Sequence, residues 1–156
     1  MIVRYFAYGS NMSTARLLSR APSARVEGIG LVTGRRLVFH KRGRDGSGKA
    51  DAMVTDDPHS VVWGVVYLIE ERHRAALDRA EGGYWATPVQ VVLNSCEVAD
   101  CFLYQADPRP GLDPRLRPLP WYKACLVDGA REHRLPEPYL RELEAWEALR
   151  DPSRGG

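Results

Sequence analysis

The chain has 156 residues, 44% hydrophobic and 27% charged, with a formal net charge of +2. That length suits one domain spanning 1–156, able to bury roughly two thirds of its unfolded surface without disulfide or metal staples. The near-neutral, interspersed charge argues against a nucleic-acid or membrane-surface partner. No charged-then-apolar leader or run of about 18 apolar residues marks secretion or a span, so a cytoplasmic location is the default expectation.

Eleven prolines and fourteen glycines predict several short elements. Residues 2–7 read as a buried strand, broken by Tyr8-Gly9-Ser10-Asn11-Met12. A short helix follows, capped by Ser13 or Thr14 and stopped by Pro22. Residues 25–41 read as strand, kink, strand around Gly28, Gly30 and Gly34. A polar glycine-rich loop spans 42–49, then a short strand at 50–55, a turn at Asp56-Asp57-Pro58 and a strong strand at 61–69. A charged helix from Glu70 to about Ala80 is expected to turn Ala75, Ala76, Leu77 and Ala80 inward.

Residues 88–95 and 98–105 alternate as a hairpin turning near Cys96-Glu97. The segment 106–120 holds five prolines and reads as a loop or arm. A C-terminal helix is predicted from about Pro136 to Leu149, with Leu140, Leu143, Trp146 and Leu149 on one side. Strands with non-repeating helical insertions predict an α+β fold: a small mixed β-barrel or strongly curved sheet flanked by helices.

The three cysteines, Cys96, Cys101 and Cys125, show no metal-ligand spacing, so no metal is expected. Cys96 and Cys101 flank the hairpin turn, where a bridge fits the spacing; three reduced, partly buried thiols are the favoured expectation. The loop 43–49 has the GxxxxGK spacing of a phosphate-binding loop, but Ala50 stands where Ser or Thr would hold magnesium. It also lies between strands and opens no helix, which favours a hairpin loop near a pocket mouth. Four histidines share no spacing, and neither GxSxG nor HExxH occurs, which argues against acyl-enzyme and zinc chemistry.

Two features suggest a site. Gly9, directly after a strand, lets backbone approach a ligand, and the Ser10 and Asn11 amides at the edge of the next helix favour a carboxylate or an oxyanion. Taken alone, this segment reads as an ordinary strand-to-helix turn with a Ser/Asn cap. Glu81 ends the charged helix before Gly82-Gly83, where the helix dipole raises a carboxylate's proton affinity and suits it to proton transfer. Taken alone, it reads as one more surface glutamate.

The segment Tyr5-Phe6-Ala7-Tyr8-Gly9-Ser10-Asn11-Met12 resembles the signature of the gamma-glutamylcyclotransferase family, which includes gamma-glutamylamine cyclotransferases and plant avirulence-induced relatives. Further segments agree in order: Val61–Tyr67, Leu77–Gly82, Tyr122-Lys123, Gly129-Ala130 and Leu135-Pro136, so that the resemblance spans residues 5 to 136. It implies that Glu81 is the proton acceptor and that Tyr8, Gly9, Ser10 and Asn11 grip the substrate. By placement, Tyr122 and Tyr104 line the cavity, and Tyr84 or Trp85 could wall it.

The implied substrate is a gamma-glutamyl small molecule whose own α-amino group attacks its γ-carbonyl, releasing an amine and 5-oxoproline. No cofactor is implied, because the nucleophile belongs to the substrate. The leaving group stays open between an amino acid and an amine. The loops at 42–49 and 106–120 are the expected walls of its pocket, and Arg109, Arg115 and Arg117 would suit either an acidic leaving group or plain solvation. A non-catalytic binding module on the same fold is the competing reading, against which the presence of Glu81 weighs.

Overall fold

In the computed structural model, which describes residues 1–150, strand β1 (Ile2–Ala7) buries its last three residues and leads into a 3-10 turn, Ser10–Met12. Helix α1 (Thr14–Leu18) follows, capped by the Ser13 hydroxyl, which accepts from the Arg16 amide. Strands β2 (Arg25–Thr33), β3 (Arg35–Arg42), β4 (Gly48–Val54) and β5 (Val61–Glu70) come next. A 3-10 turn, Glu71–His73, opens α2 (Arg74–Ala80). The rest is β6 (Tyr84–Leu93), β7 (Val98–Ala106), α3 (Pro120–Glu132) and α4 (Glu137–Ala145).

Five strands close a barrel in the order β1-β5-β2-β6-β7, while β3 and β4 form a separate two-stranded ribbon. Neighbours are antiparallel except at the closure, where β7 meets β1 in parallel through Phe102 and Tyr5. The α+β barrel expected from the sequence is the fold observed. The kink predicted within 25–41 falls at Gly34 (φ +74), where β2 stays in the barrel and β3 leaves for the ribbon. In β5, Val62, Val65, Val66, Tyr67 and Ile69 are all buried. Each such aliphatic side chain stabilises the fold by roughly 1.5–3 kcal/mol.

Three expectations need correction. Residues 120–132, where the sequence predicts only the end of the proline-rich arm at Pro120, form α3, with Pro120 at its first turn, where a missing N–H costs nothing. The C-terminal helix stops at Ala145; Trp146 packs its ring on Phe39 at 5.0 Å, and Leu149 is exposed. In α2 only Leu77 is buried, and Ala75, Ala76 and Ala80 face solvent, because seven helical residues offer the barrel too narrow a stripe. All three cysteines are free: Cys96 is exposed in the hairpin turn and Cys101 is buried in β7.

Two contacts fix the turn after β1. Helix α3 approaches it so closely that a Cβ on Gly129 would lie 2.6 Å from Met12 Cβ and 2.8 Å from the Ser13 nitrogen. From the barrel, the Tyr67 hydroxyl donates to the Met12 carbonyl at 3.1 Å, and His133 Nε2 lies 2.9 Å from the same oxygen. The ribbon is pinned to β7 by Asp51, which meets His40 Nε2 at 2.6 Å and accepts from the Ala106 amide at 2.9 Å.

Candidate active site

The break after β1, the end of α2, the ribbon and the start of α3 converge at one end of the barrel. A narrow recess there, about 30 Å³, is lined by Tyr8, Gly9, Ser10, Asn11, Glu81, Tyr104 and Tyr122, joined by Tyr5, Ala50 and Tyr84. The proton acceptor and the six substrate-binding residues expected from the resemblance therefore meet in one place. The recess opens into a cleft of about 520 Å³ that shares Ser10, Glu81, Tyr84 and Tyr122 with it.

Glu81 is the C-cap of α2, its amide donating to the Leu77 carbonyl, and its side chain is 15% exposed. Oε1 accepts from Asn11 Nδ2 at 2.7 Å and from Arg20 Nη1 at 3.0 Å. Arg20 Nη1 also donates to Asn11 Oδ1 at 3.2 Å, and Asn11 Nδ2 reaches the Tyr5 hydroxyl at 3.1 Å. Asn11, buried at 2% exposure, is thereby locked in one orientation. Among the described residues no hydrogen bond engages Oε2, so one carboxylate oxygen is held and the other is available to a ligand.

Burial raises the proton affinity of Glu81, and this outweighs the opposing pull of Arg20, Asn11, Arg16 and Lys41. The direction agrees with the sequence expectation, but the cause is desolvation and not the helix dipole. Arg20 is the residue that sequence reasoning missed. It sits two residues past α1, at a chain separation of 61 from Glu81, and only the fold brings them together.

The tyrosines divide the remaining work. The Tyr8 hydroxyl donates to the Tyr104 carbonyl, and the Tyr104 hydroxyl donates to Asp78 Oδ1 at 2.6 Å. The Tyr122 hydroxyl accepts from the Ala50 amide at 3.0 Å, and the Tyr84 hydroxyl donates to the Ala50 carbonyl at 2.6 Å. Burial raises the pKa of Tyr5, Tyr8, Tyr84, Tyr104 and Tyr122, so all stay neutral near pH 7. Strand alternation settles the two aromatics after Glu81: Tyr84 lines the recess, and Trp85 turns outward, 42% exposed.

A Cβ on Gly9 would sit 3.5 Å from Ala50 Cβ and 3.8 Å from the Tyr122 hydroxyl, inside the recess. The glycine keeps that volume open. The hydrogen bonds of the 3-10 turn begin with the Met12 amide donating to the Gly9 carbonyl, so the Ser10 and Asn11 amides precede the first bonded donor. Arg16 Nε donates to Ser10 Oγ at 3.0 Å.

Of the two loops expected to wall a leaving-group pocket, the ribbon loop does so through Gly43, Arg44, Asp45 and Lys49. The proline-rich segment does not. Arg109 pairs with Asp107, Arg115 with Asp113 and Arg117 with Glu147, and none of the three arginines lines the cleft. No group of three or more His, Cys, Asp or Glu side chains able to hold a metal occurs among the described residues. No helix of those residues is long and apolar enough to cross a membrane.

Comparison with known proteins adds the family. The sequence pattern of the AIG2-like family matches residues 61–143, which include Glu81, Tyr104 and Tyr122 but not the loop after β1. Gamma-glutamylcyclotransferase of Bos taurus is 30% identical over 151 residues, covering 92% of this chain and 78% of its own length. The Homo sapiens protein of the same name is 30% identical over 150 residues, with the same coverage. A solved structure titled gamma-glutamyl cyclotransferase superposes with a TM-score of 0.89 at 28% identity, covering all of this chain and 94% of its own. The chain belongs to the AIG2-like, gamma-glutamylcyclotransferase-type family.

Proposed function

We propose that the protein catalyses the cyclisation of a gamma-glutamyl compound, R–NH–CO–CH2–CH2–CH(NH3+)–COO−, to 5-oxoproline and R–NH3+, without a cofactor. The observation that carries this reading is the part-buried carboxylate of Glu81, with Oε1 clamped by Asn11 and Arg20 and Oε2 unengaged by the described residues at the junction of recess and cleft. Names of relatives that share about 30% of the sequence support the same chemistry.

In this reading Oε2 accepts a proton from the substrate ammonium. The freed amine attacks the γ-carbonyl carbon, closing a five-membered ring. The C–N bond to the leaving group then breaks, and the two protons lost by the ammonium end on the departing nitrogen. Glu81 carries them, and its burial brings its proton affinity nearer to what transfer in both directions requires. Folding the chain of the substrate into attack geometry supplies much of the acceleration, since effective molarities for such intramolecular reactions reach about 10⁵–10⁸ M. The Ser10 and Asn11 amides are the donors for the oxyanion of the tetrahedral intermediate. Tyr8, Tyr104 and Tyr122 shape the recess around the gamma-glutamyl head.

The test is 5-oxoproline release from a panel of gamma-glutamyl amino acids, gamma-glutamyl amines and glutathione. Release from at least one member is expected. Silence across the panel with intact, folded protein overturns the reading in favour of a binding module.

A further inference from the structure

The cleft outside the recess is far more cationic than the chain as a whole. Arg16, Arg20, Lys41, Arg44, Lys49 and Arg79 line it against two carboxylates, Asp45 and Glu81, on a chain whose formal net charge is only +2. Arg20 is spent on Glu81 at 3.0 Å and Lys49 on Asp45 at 3.4 Å. Among the described residues, Arg16, Lys41, Arg44 and Arg79 have no carboxylate within ion-pair distance.

Two of these unpaired charges, Lys41 and Arg16, are held in place. Lys41 Nζ sits 4.9 Å from the centre of the Tyr84 ring, and partial burial lowers its pKa. Trp121, 49% exposed at the cleft, carries the Arg16 guanidinium on its ring at 5.6 Å and Lys49 Nζ at 4.9 Å. Low-dielectric walls and an excess of positive over negative charge focus the field on whatever occupies the space between them.

The recess, at about 30 Å³, is small beside the cleft of about 520 Å³ that it opens into. A gamma-glutamyl head must therefore span the recess and the floor of the cleft, which leaves its leaving group among these cations. The α-carboxylate of the head can satisfy one of the four unpaired charges. Three remain. A neutral leaving amine would leave them uncompensated, and a cationic one would meet repulsion.

We infer that this vestibule selects gamma-glutamyl substrates whose leaving amine itself carries two or more negative charges, as a dicarboxylic amino acid or a phosphorylated amine does. The inference rests on the cyclisation reading above and specifies its substrate class. The bonds made and broken are unchanged; only the group on the departing nitrogen is specified.

The experiment measures kcat/KM for 5-oxoproline release from gamma-glutamyl-glutamate, gamma-glutamyl-phosphoethanolamine, gamma-glutamyl-alanine and α-linked gamma-glutamyl-lysine. At low salt, at least one of the first two should exceed the alanine compound by about tenfold or more, with the lysine compound slowest. Which of the two leads distinguishes a dicarboxylate from a phosphate. The preference should shrink as salt screens the cleft. It should also fall about tenfold in an Arg44→Glu, Arg79→Glu double variant, which alters two exposed side chains and spares the recess. If the alanine or lysine compound reacts as well as both anionic ones, the vestibule inference is overturned while the cyclisation reading survives. If no compound yields 5-oxoproline, both fall.

Discussion

Glu81→Gln separates proton transfer from everything else this carboxylate does. Glutamine matches glutamate in volume, and its carbonyl oxygen can keep both bonds that Oε1 accepts, from Asn11 at 2.7 Å and Arg20 at 3.0 Å. What it cannot do is take a proton. Loss of a positioned general acid–base lowers turnover by about 10²–10⁴-fold, so kcat for 5-oxoproline release should fall that far while KM stays within a few-fold.

Stability should move the other way. Burial raises the proton affinity of Glu81 in the folded chain, so the native state holds the proton more tightly than the unfolded chain does. Its contribution is therefore most favourable below the ordinary glutamate pKa and is lost as pH rises through the folded value. A neutral glutamine avoids that loss. Each tenfold increase in proton affinity is worth about 1.4 kcal/mol, so urea unfolding should show variant and parent nearly equal at about pH 4 and the variant more stable at about pH 7. Turnover within tenfold of the parent would refute the role given to Glu81. A variant less stable than the parent at neutral pH would refute the dominance of burial over the Arg20 ion pair.

Three further perturbations test the supports of the site. Arg20→Leu removes a charge that favours ionised Glu81, so the acidic limb of the kcat/KM–pH profile should move to higher pH; an unmoved limb would mean that the pair does not couple to the reacting group. Tyr122→Phe removes the hydroxyl that accepts from the buried Ala50 amide. The cost is about 1–3 kcal/mol in denaturant unfolding, and a loss under about 0.5 kcal/mol would indicate that another acceptor replaces the hydroxyl. Gly129→Ala forces a methyl against Met12 and Ser13. It should cost about 1–3 kcal/mol and reduce turnover as well, because the displaced turn carries Asn11; full activity with lowered stability would show that the turn does not move.

What was legible in the sequence divides along physical lines. The strand at 61–69 and the hairpin around Cys96-Glu97 announce themselves through β-branched runs and alternation, signals that depend only on neighbours in the chain. Helix α3 is less visible. Its buried positions are Tyr122, Leu126, Val127, Gly129 and Ala130, and two of these are small residues chosen for close approach to the turn rather than for hydrophobicity. The three inward alanines expected in α2 are exposed, because composition cannot reveal how little of a two-turn helix its barrel covers. The loop after β1 and Glu81 were legible only together with family segments lying in order along the chain. Arg20 left no local trace.

The same contrast explains how the site holds a carboxylate poised for proton transfer. Burial pushes Glu81 toward its neutral form, and Arg20 pulls it back toward the ionised one. Neither influence is local in sequence: burial comes from β1, the ribbon and α3 closing over the end of α2, and the guanidinium arrives from beyond α1. The two opposing influences are supplied by different elements, and Arg20 joins them by bonding both Asn11 and Glu81. An exposed glutamate at a helix end would have neither influence, and a buried one without the guanidinium would have its proton affinity raised further. The proposed chemistry therefore depends on the clamp Asn11–Glu81–Arg20 as a unit, with Oε1 occupied so that the proton is exchanged at Oε2.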